Sequence, residues 1–517
     1  MRSDNLTPYD TIVYPSKPFA KTRPDYLAMV ATLHSMTPAP PSRCRVLELG
    51  CGSGGNIVPM ACQLPASEFL GVDLSRHAIE SGQEMIGQLG LSNVKLQHRD
   101  IMSISAADGS FDYIIAHGVY SWVPQPVRDK MLSVFRANLN AQGVVYVSYN
   151  ALPGGHLRDV ARSIMRFHGR DVGDLRAKNA QSRDLMKFIA EVSAEDQIYG
   201  FILRDQANRI AALSDEVFIH DDLDEGSAAF FLYQVVEAAG QHGLQYLADT
   251  DFPILGLQGR SQKICDKLAR IPEEQTALRE QYLDFIDGRA FRTSLFCHHD
   301  VALRRPPAAD RIKTMYLSAA LIPEEKEIDV SSKDVVAFKG SAGAVLQTNQ
   351  PLGKAVLLLL AHVHPEAIGF DDLLERALAM LAAAAPRQMA DEIDALTRLL
   401  FEGLRTGLID AYMDQPLLTS SVSGRPKAGA FARWQASTGK TLVTSLLHGG
   451  ILCEDQILVR FLPLVDGTRT IPELCSDLRR ELAANPGESA VDIDEVTRGE
   501  AVHRSLCVMA KLGLLEC

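Results

Sequence analysis

Between positions 43 and 150 the chain alternates short apolar runs with longer segments in which apolar residues recur every three or four positions. The short runs, at 45–49, 68–72, 94–98, 113–116 and 144–148, predict buried strands, and the longer ones, such as 75–89 and 126–139, predict amphipathic helices. Strands separated by helices form a parallel sheet covered on both faces, because each helix carries the chain back to the same end of the sheet. The expectation is therefore a doubly wound α/β sheet. Ligands of such sheets sit beyond the carboxyl ends of the strands, where the strand order reverses.

The pattern then changes twice. From about 155 to 215 it is helical, with many charges. VFIHDDL, a helical stretch at 230–241, the strand-like LQYLADTDF, a further helical stretch and the strand-like SLFCHHDVAL follow. A late helix and two late strands would complete the sheet, so this region is expected to end near 305, before Pro306 and Pro307. Beyond it there is little strand signal and there are two helical blocks. LLLAHVHPEAIGFDDLLERAL and RFLPLVDGTRTIPELCSDLRREL share one outline: an apolar helix, a turn, then a second helix. Each block closes on a third helix and a short apolar tail, TRLLFEGLRTGLIDAY and LCVMAKLGLLE. Three helices and a short strand outline a winged-helix unit, and 414–440 reads as the linker between two of them. The predicted organisation is thus 1–305, with a helical insert and a further region at about 155–305, and 306–517 as a mostly helical, winged-helix-like pair.

Composition narrows the function. The 517 residues suit about three domains, and 46% hydrophobic with 22% charged residues is globular. The net charge is −12, and 306–517 alone carries 21 Lys and Arg against 28 Asp and Glu. A module that reads nucleic acid is basic, so these blocks are read as protein-contact modules and no nucleic-acid partner is expected. The longest apolar runs, 355–363 and 377–385, are far short of the roughly 20 residues that span a bilayer, and are read as buried helices. MRSDNLTPYD has no apolar stretch after its basic residue, so neither a secretory signal nor a membrane partner is expected. Nine cysteines without a CxxC pair suit a reducing cytoplasm and give no zinc spacing. His156, His220, His298 and His299 are scattered, and no metal is expected.

RVLELGCGSGGN, residues 45–56, carries the chemistry. A strand ends in Glu48, then Gly50, Gly52 and Gly54 alternate, a helix follows, and Asn56 closes the stretch as a further candidate cofactor residue. Glycines permit positive φ and a close ligand approach, and a helix start offers free N–H groups. Gly50, Gly52 and Gly55 also satisfy GxGxxG, the dinucleotide fingerprint. A pyrophosphate would be repelled by Glu48, whereas S-adenosylmethionine would bring its cationic end to that carboxylate. Asp73, followed by Leu74, ends the second strand and is placed to bond ribose hydroxyls. Asp100, beside Ile101, ends the third strand and could accept from an adenine amino group. Each Asp taken singly is equally a helix N-cap, but together with the glycines the set favours the cationic nucleoside.

This stretch resembles motif I of the class I S-adenosylmethionine-dependent methyltransferases, whose sheet is Rossmann-like. More narrowly, YDTIVYPSKPFAKTRPDYLAMVATL, FDYIIAHGVYSWVP, VSYNALPGGHLR, the segment from VFIHDDL to LADTDF, FRTSLFCHHDVAL and LVRFLPLVDGTRTIPEL resemble bacterial, rickettsial-type lysine methyltransferases of outer-membrane proteins. The resemblance implies a methyltransferase regulatory region, a winged-helix-like carboxyl-terminal domain and S-adenosylmethionine as cofactor. It also implies a protein substrate, an outer-membrane protein met in the cytoplasm before export, and it allows a homodimer. PGGH at 153–156 departs from the PGWH of the family, so Gly155 lacks an aromatic ring.

Methyl transfer requires the acceptor to be held in line at about 3–3.5 Å and away from water. For a lysine of reference pKa near 10.4, neutralisation at pH 7.4 costs about 4 kcal/mol. The candidate catalytic residues follow the fourth strand: His117, as proton acceptor or as packing under the adenosine, and Tyr120, as amine partner or pocket wall, with Trp122 beyond. AHGVYSW replaces the Asn/Asp-Pro-Pro-Tyr/Phe motif of amide methylation, which argues against amide acceptors. Tyr9, Tyr14 and Pro15 form a candidate lid over the cofactor, and Asn150 a candidate pocket residue. The alternatives are a small-molecule methyltransferase, a non-catalytic cofactor-responsive binding protein and, remotely, a nicotinamide enzyme.

Overall fold

The computed structural model describes residues 14–224, 226–251, 260–340, 343–381, 389–484 and 492–517. Its main sheet has the strand order β3-β2-β1-β4-β5-β8-β7. The first five strands are β1 (Arg45–Leu49), β2 (Glu68–Asp73), β3 (Val94–His98), β4 (Phe111–Ala116) and β5 (Leu139–Ala151). They are mutually parallel, and the order reverses between β1 and β4, which pair through Val46 and Tyr113, Leu47 and Ile114, and Glu48 and Ile115. The short β6 (Ala229–Phe230) lies on the end of β5. The two late strands, β7 (Leu244–Asp249) and β8 (Phe291–His298), complete the sheet, with β8 antiparallel to both neighbours.

β5 extends well beyond the expected 144–148. Its early residues 139–143 lie outside the run read as a strand, and Leu139 pairs with Phe111 across a register shift. The 155–215 insert is helical as expected, in Gly155–His168, Leu175–Val192 and Ile198–Ala211, and has a small core of its own. VFIHDDL is helical too, ending in a π-helical turn at Ile219–Leu223.

Alternating strand residues build two cores. Leu47, Ile114, Val145 and Tyr149 face the helices Gln125–Asn138 and Leu232–Gln241. Val46, Tyr113, Val144 and Tyr146 face the helix Pro24–Leu33 and merge with Leu317, Leu357, Leu400 and Ile409 from beyond residue 306. Burial on both faces is why these strands read as continuous apolar runs.

The region after 306 holds more strand than the sequence pattern announced. β9 (Tyr316–Ser318) lies between β13 (Ile368–Gly369) and β14 (Asp410–Tyr412). Three further strands, β10 (Leu321–Pro323), β11 (Val336–Gly340) and β12 (Val345–Thr348), form a separate antiparallel sheet. In the second block β15 (Lys427–Ala428) pairs with β18 (Leu515–Glu516) and, through Lys427, bridges to Asp466. The hairpin β16 (Leu442–Thr444) and β17 (Gly450–Leu452) projects from this block, whose core is separate. Among the described residues no helix is long and apolar enough to cross a membrane.

Candidate active site

The glycine loop leaves β1 at the point where the strand order reverses. Gly50, Gly52 and Gly54 have φ of 71°, 53° and 83°. A Cβ on Gly50 would stand 2.4 Å from Val119 Cγ2, in the loop after β4, and one on Gly54 would stand 2.8 Å from Val58 Cγ2. Conformation and space both demand glycine there. The Gly50 and Cys51 N–H groups donate to the Val72 carbonyl at 2.8 and 3.1 Å.

Asp73 shapes the same loop. Its carboxylate accepts from Gly52 N–H and from Ser75 N–H, each at 2.8 Å. Leu74 is 54% exposed beside it, its carbonyl 3.0 Å from His98 Nε2. Asp100 is exposed at the end of the third strand, and one of its oxygens caps a 3₁₀ turn by accepting from Met102 N–H at 2.9 Å. Ile101 is half-buried next to it.

Glu48 is buried at 3% exposure. Its Oε1 accepts from Asn56 Nδ2 at 2.7 Å, and its Oε2 has no partner among the described residues. Burial pushes its carboxyl up to about 8, so in the free protein this group is largely neutral near pH 7. The repulsion of a pyrophosphate expected from Glu48 is correspondingly weaker than its formal charge suggests. The orphan oxygen provides the sharper criterion. A cationic group arriving beside it would satisfy the acceptor and restore its charge.

His117 follows β4, and its Nδ1 lies 2.8 Å from the Tyr146 hydroxyl. The Phe19 ring packs on it with centroids 3.5 Å apart, and Phe291 stands edge-on at 6.3 Å. Burial pulls its imidazole down to about 4, so it is neutral at physiological pH. Tyr120 turns the other way, into the second core, against Tyr149 and Phe230 with centroids at 6.1 and 5.4 Å. Burial pushes its phenol up to about 12. Trp122 lies under the guanidinium of Arg162, 5.7 Å from the ring centroid. Asn150 is buried, and its Nδ2 has no partner among the described residues.

The segment before the first helix lies over the glycine loop. Ser16 Oγ accepts from Gly55 N–H at 2.8 Å, and a Cβ on Gly55 would meet the Ser16 carbonyl at 2.5 Å. Tyr14 is 40% exposed, with its ring 5.8 Å from that of His220. Tyr9 lies outside the described residues. Of the other scattered histidines, His298 serves the fold: its Nε2 lies 3.0 Å from the Leu139 carbonyl.

Four contributors escaped the sequence reading: Ser16, Phe19, Tyr146 and His448. His448 Nε2 reaches Asn56 Oδ1 at 2.9 Å from 392 positions away. No local pattern announces such a pair. Phe19 and Ser16 lie in the segment already singled out for its aromatics and prolines, which is the signal that could have found them.

The donor set suits an amino-acid nucleoside with a cationic end: a glycine cradle, an orphan buried carboxylate oxygen, and carboxylates at the ends of β2 and after β3. Residues 41–199 match the family described as a methyltransferase domain, 214–298 a predicted methyltransferase regulatory domain, and 424–511 the PKMT C-terminal winged helix domain. The uncharacterized protein RP789 of Rickettsia prowazekii is 33% identical over 449 residues, covering 85% of this chain and 80% of that protein. A second uncharacterized protein of that organism, RP028, is 36% identical over 241 residues, 46% of this chain and 96% of its own length. Among solved structures, PKMT2 from Rickettsia typhi in complex with AdoHcy matches with a TM-score of 0.85 at 29% identity, over 97% of this chain and 99% of that one.

Proposed function

The chain belongs to the family of S-adenosylmethionine-dependent methyltransferases that join a class I catalytic domain to a regulatory domain and a PKMT winged-helix domain, and from that premise we propose that its methyl acceptor is a lysine side chain of a protein. The observation that carries the proposal is the likeness to PKMT2 over the whole chain, not over the catalytic sheet alone. The large non-catalytic part of the molecule is then the part that grips a protein.

The cofactor, when bound, supplies an electrophilic methyl group on a sulfonium. The glycine loop with Gly50, Gly52 and Gly54 would cradle it, Asn56 and Glu48 would face its amino-acid end, and Asp73 and Leu74 its ribose. Asp100 and Ile101 would border the adenine, and the segment carrying Tyr14 would cover the whole. His117 borders the acceptor side. With its imidazole drawn down to about 4, it is a poor final store for a proton from an ammonium of reference pKa near 10.4. Its neutral ring orients the amine, and Tyr146 fixes the ring through Nδ1. Phe19, packed on the His117 ring, excludes water there, which lowers the roughly 4 kcal/mol needed to present a neutral lysine at pH 7.4. Tyr120 supports the wall of the site from the opposite core.

The finer expectations belong to the same proposal: an outer-membrane protein met in the cytoplasm before export, a homodimer, and 306–517 as a winged-helix-like pair. Among the described residues no two cysteines are joined in a disulfide, in keeping with the reducing compartment proposed. The matching strand arrangements β13-β9-β14 and Asp466-β15-β18 support the pair.

The test uses the full chain, because 306–517 shares a core with the sheet and its removal would expose that face. The enzyme and labelled methyl donor are incubated with fractionated cell proteins, and the products are mapped by mass spectrometry. Methylated lysines are expected. Turnover confined to the small-molecule fraction would overturn the lysine reading.

A further inference from the structure

The second carboxyl-terminal block touches the glycine loop through one side chain. The β16–β17 hairpin turns through residues 445–449, closed by Ser445 N–H to the Gly449 carbonyl at 2.8 Å and His448 N–H to the Ser445 carbonyl at 2.9 Å. Leu446 N–H ties the tip back to the Gly513 carbonyl at 2.9 Å. At the tip His448 adopts φ 60°, a left-handed conformation unusual for a residue other than glycine. Its side chain is fully buried.

The protonation state follows from the partners. Asn56 Nδ2 donates to Glu48, so Asn56 Oδ1 is the acceptor that faces His448, and His448 Nε2 carries the hydrogen. Phe19 N–H donates to the same oxygen at 2.9 Å. His448 Nδ1 has no partner among the described residues. A strained backbone, a fully buried imidazole and an unpaired nitrogen are all unfavourable in isolation, and such costs concentrate where geometry is held for function.

We propose that His448 is a positioning residue of the cofactor site: the carboxyl-terminal hairpin locks the Asn56 amide through Nε2–H, so that Asn56 presents its N–H to Glu48 and leaves Glu48 Oε2 open toward the cofactor. The second block is then a working part of the cofactor pocket as well as a protein-contact module. Binding and docking are coupled in both directions, since a ligand that needs the locked loop must favour the docked hairpin by the same factor. This rests on the glycine loop being the cofactor site.

The test is calorimetric titration of the full-length protein with S-adenosylhomocysteine. His448→Gly suits the left-handed backbone and removes the ring together with its donor, so it is expected to fold and to bind about tenfold or more weakly. His448→Gln, whose amide can reach the Nε2 position, is expected to restore most of the affinity. Asp73→Ala serves as the reference for a disabled site. Hydrogen exchange at Leu446 and His448 is expected to slow when the ligand is added to the wild type. Wild-type affinity in His448→Gly overturns the proposal and leaves the cofactor site standing. Equal loss in the Gly and Gln variants also overturns it, because a donor returned to the Nε2 position would then fail to restore binding. Failure of the wild type itself to bind overturns the cofactor reading, and this proposal with it.

Discussion

The two carboxyl-terminal blocks are built alike and attached differently. In each, a short strand is paired on both sides, β9 by β13 and β14, and β15 by β18 and by an isolated bridge to Asp466. Each then runs through two longer helices, Phe370–Met380 and Met389–Arg405 in the first, Ile471–Ala484 and Gly499–Lys511 in the second. The first block dissolves into the core of the catalytic sheet, where Leu317, Leu357 and Leu400 lie in one cluster with Val46 and Tyr113. The second keeps its own core of Leu474, Leu506 and Leu514. It meets the catalytic region through the helix Ala430–Ser437 and through the His448 tip. One plan therefore serves two ends. Merged cores make a block inseparable, whereas a block that keeps most of its core and reaches the first through Phe431 and a polar tip can influence a site it does little to fold.

The largest effect that separates the two is thermal. Leu357 and Leu506 are both fully buried, and truncation of either to Ala should cost about 2–5 kcal/mol. Leu357→Ala is expected to lower the melting of the catalytic sheet, because the two share a core. Leu506→Ala is expected to lower melting of the second block and leave the sheet's transition in place. Differential scanning calorimetry of the full chain distinguishes these outcomes. A single transition shifted equally by both variants would break the comparison.

That merged core also explains what the sequence could reveal. β1 and β3 were legible to the residue, and the E-x-G-x-G-x-G spacing located the loop, because strand, loop and helix there are consecutive and governed by local periodicity. Among the short strands after 306, β14 and β18 lie in the closing tails that were read as strands, and the others were not legible, since two to five residues contain no run in which a period of two can be seen. The repeat of the two blocks survived in outline because helices are long enough to show their pattern. Asp100 was ambiguous from the outset: a carboxylate at a strand end is equally a cap, and one oxygen does cap here. Tyr120 was placed on the acceptor side by its position after the fourth strand, yet Gly118, at φ 68°, and the turn after it send its ring into the opposite core. His448 was illegible because its partner is fixed only once three separate units have packed.

Next in size is a pH effect at the end of that chain of contacts. Burial holds Glu48 near 8, above the ordinary carboxylate range. The favourable contribution of the neutral form to folding is therefore complete below the unfolded value of about 4.3 and is lost as pH rises through about 8. A cationic ligand end selects the ionised form. S-adenosylhomocysteine binding should thus release a proton below pH 8 and tighten by up to about tenfold per pH unit toward it. Calorimetry at pH 6.5 in two buffers of different ionisation heat measures the release. Glu48→Gln is expected to abolish both the release and the slope. No proton release in the wild type would detach Glu48 from the ligand and leave the second block with nothing to act on.

The smallest effect probes the other contact of the second block. Trp434 Nε1–H donates to Gln88 Oε1 at 2.7 Å, an exposed bond between this block and the helix Arg76–Leu89. Its ring is partly buried against the first core and tilts over Phe431. Trp434→Phe retains much of the ring contact and removes the donor, and the freed Gln88 oxygen can turn to water. The expected loss is about 0.5–1 kcal/mol of stability, at the low end for a hydrogen bond because neither partner is left buried and unsatisfied. The same argument predicts almost no change in S-adenosylhomocysteine affinity, since Gln88 lies at the far end of its helix from Ser75 and Asp73. A loss of affinity as large as that of His448→Gly would show that docking of the whole block, rather than the hairpin's grip on Asn56, governs the site. The contrast between one block that folds the catalytic sheet and one that positions a single side chain in it would then give way to a contrast in tightness of attachment alone.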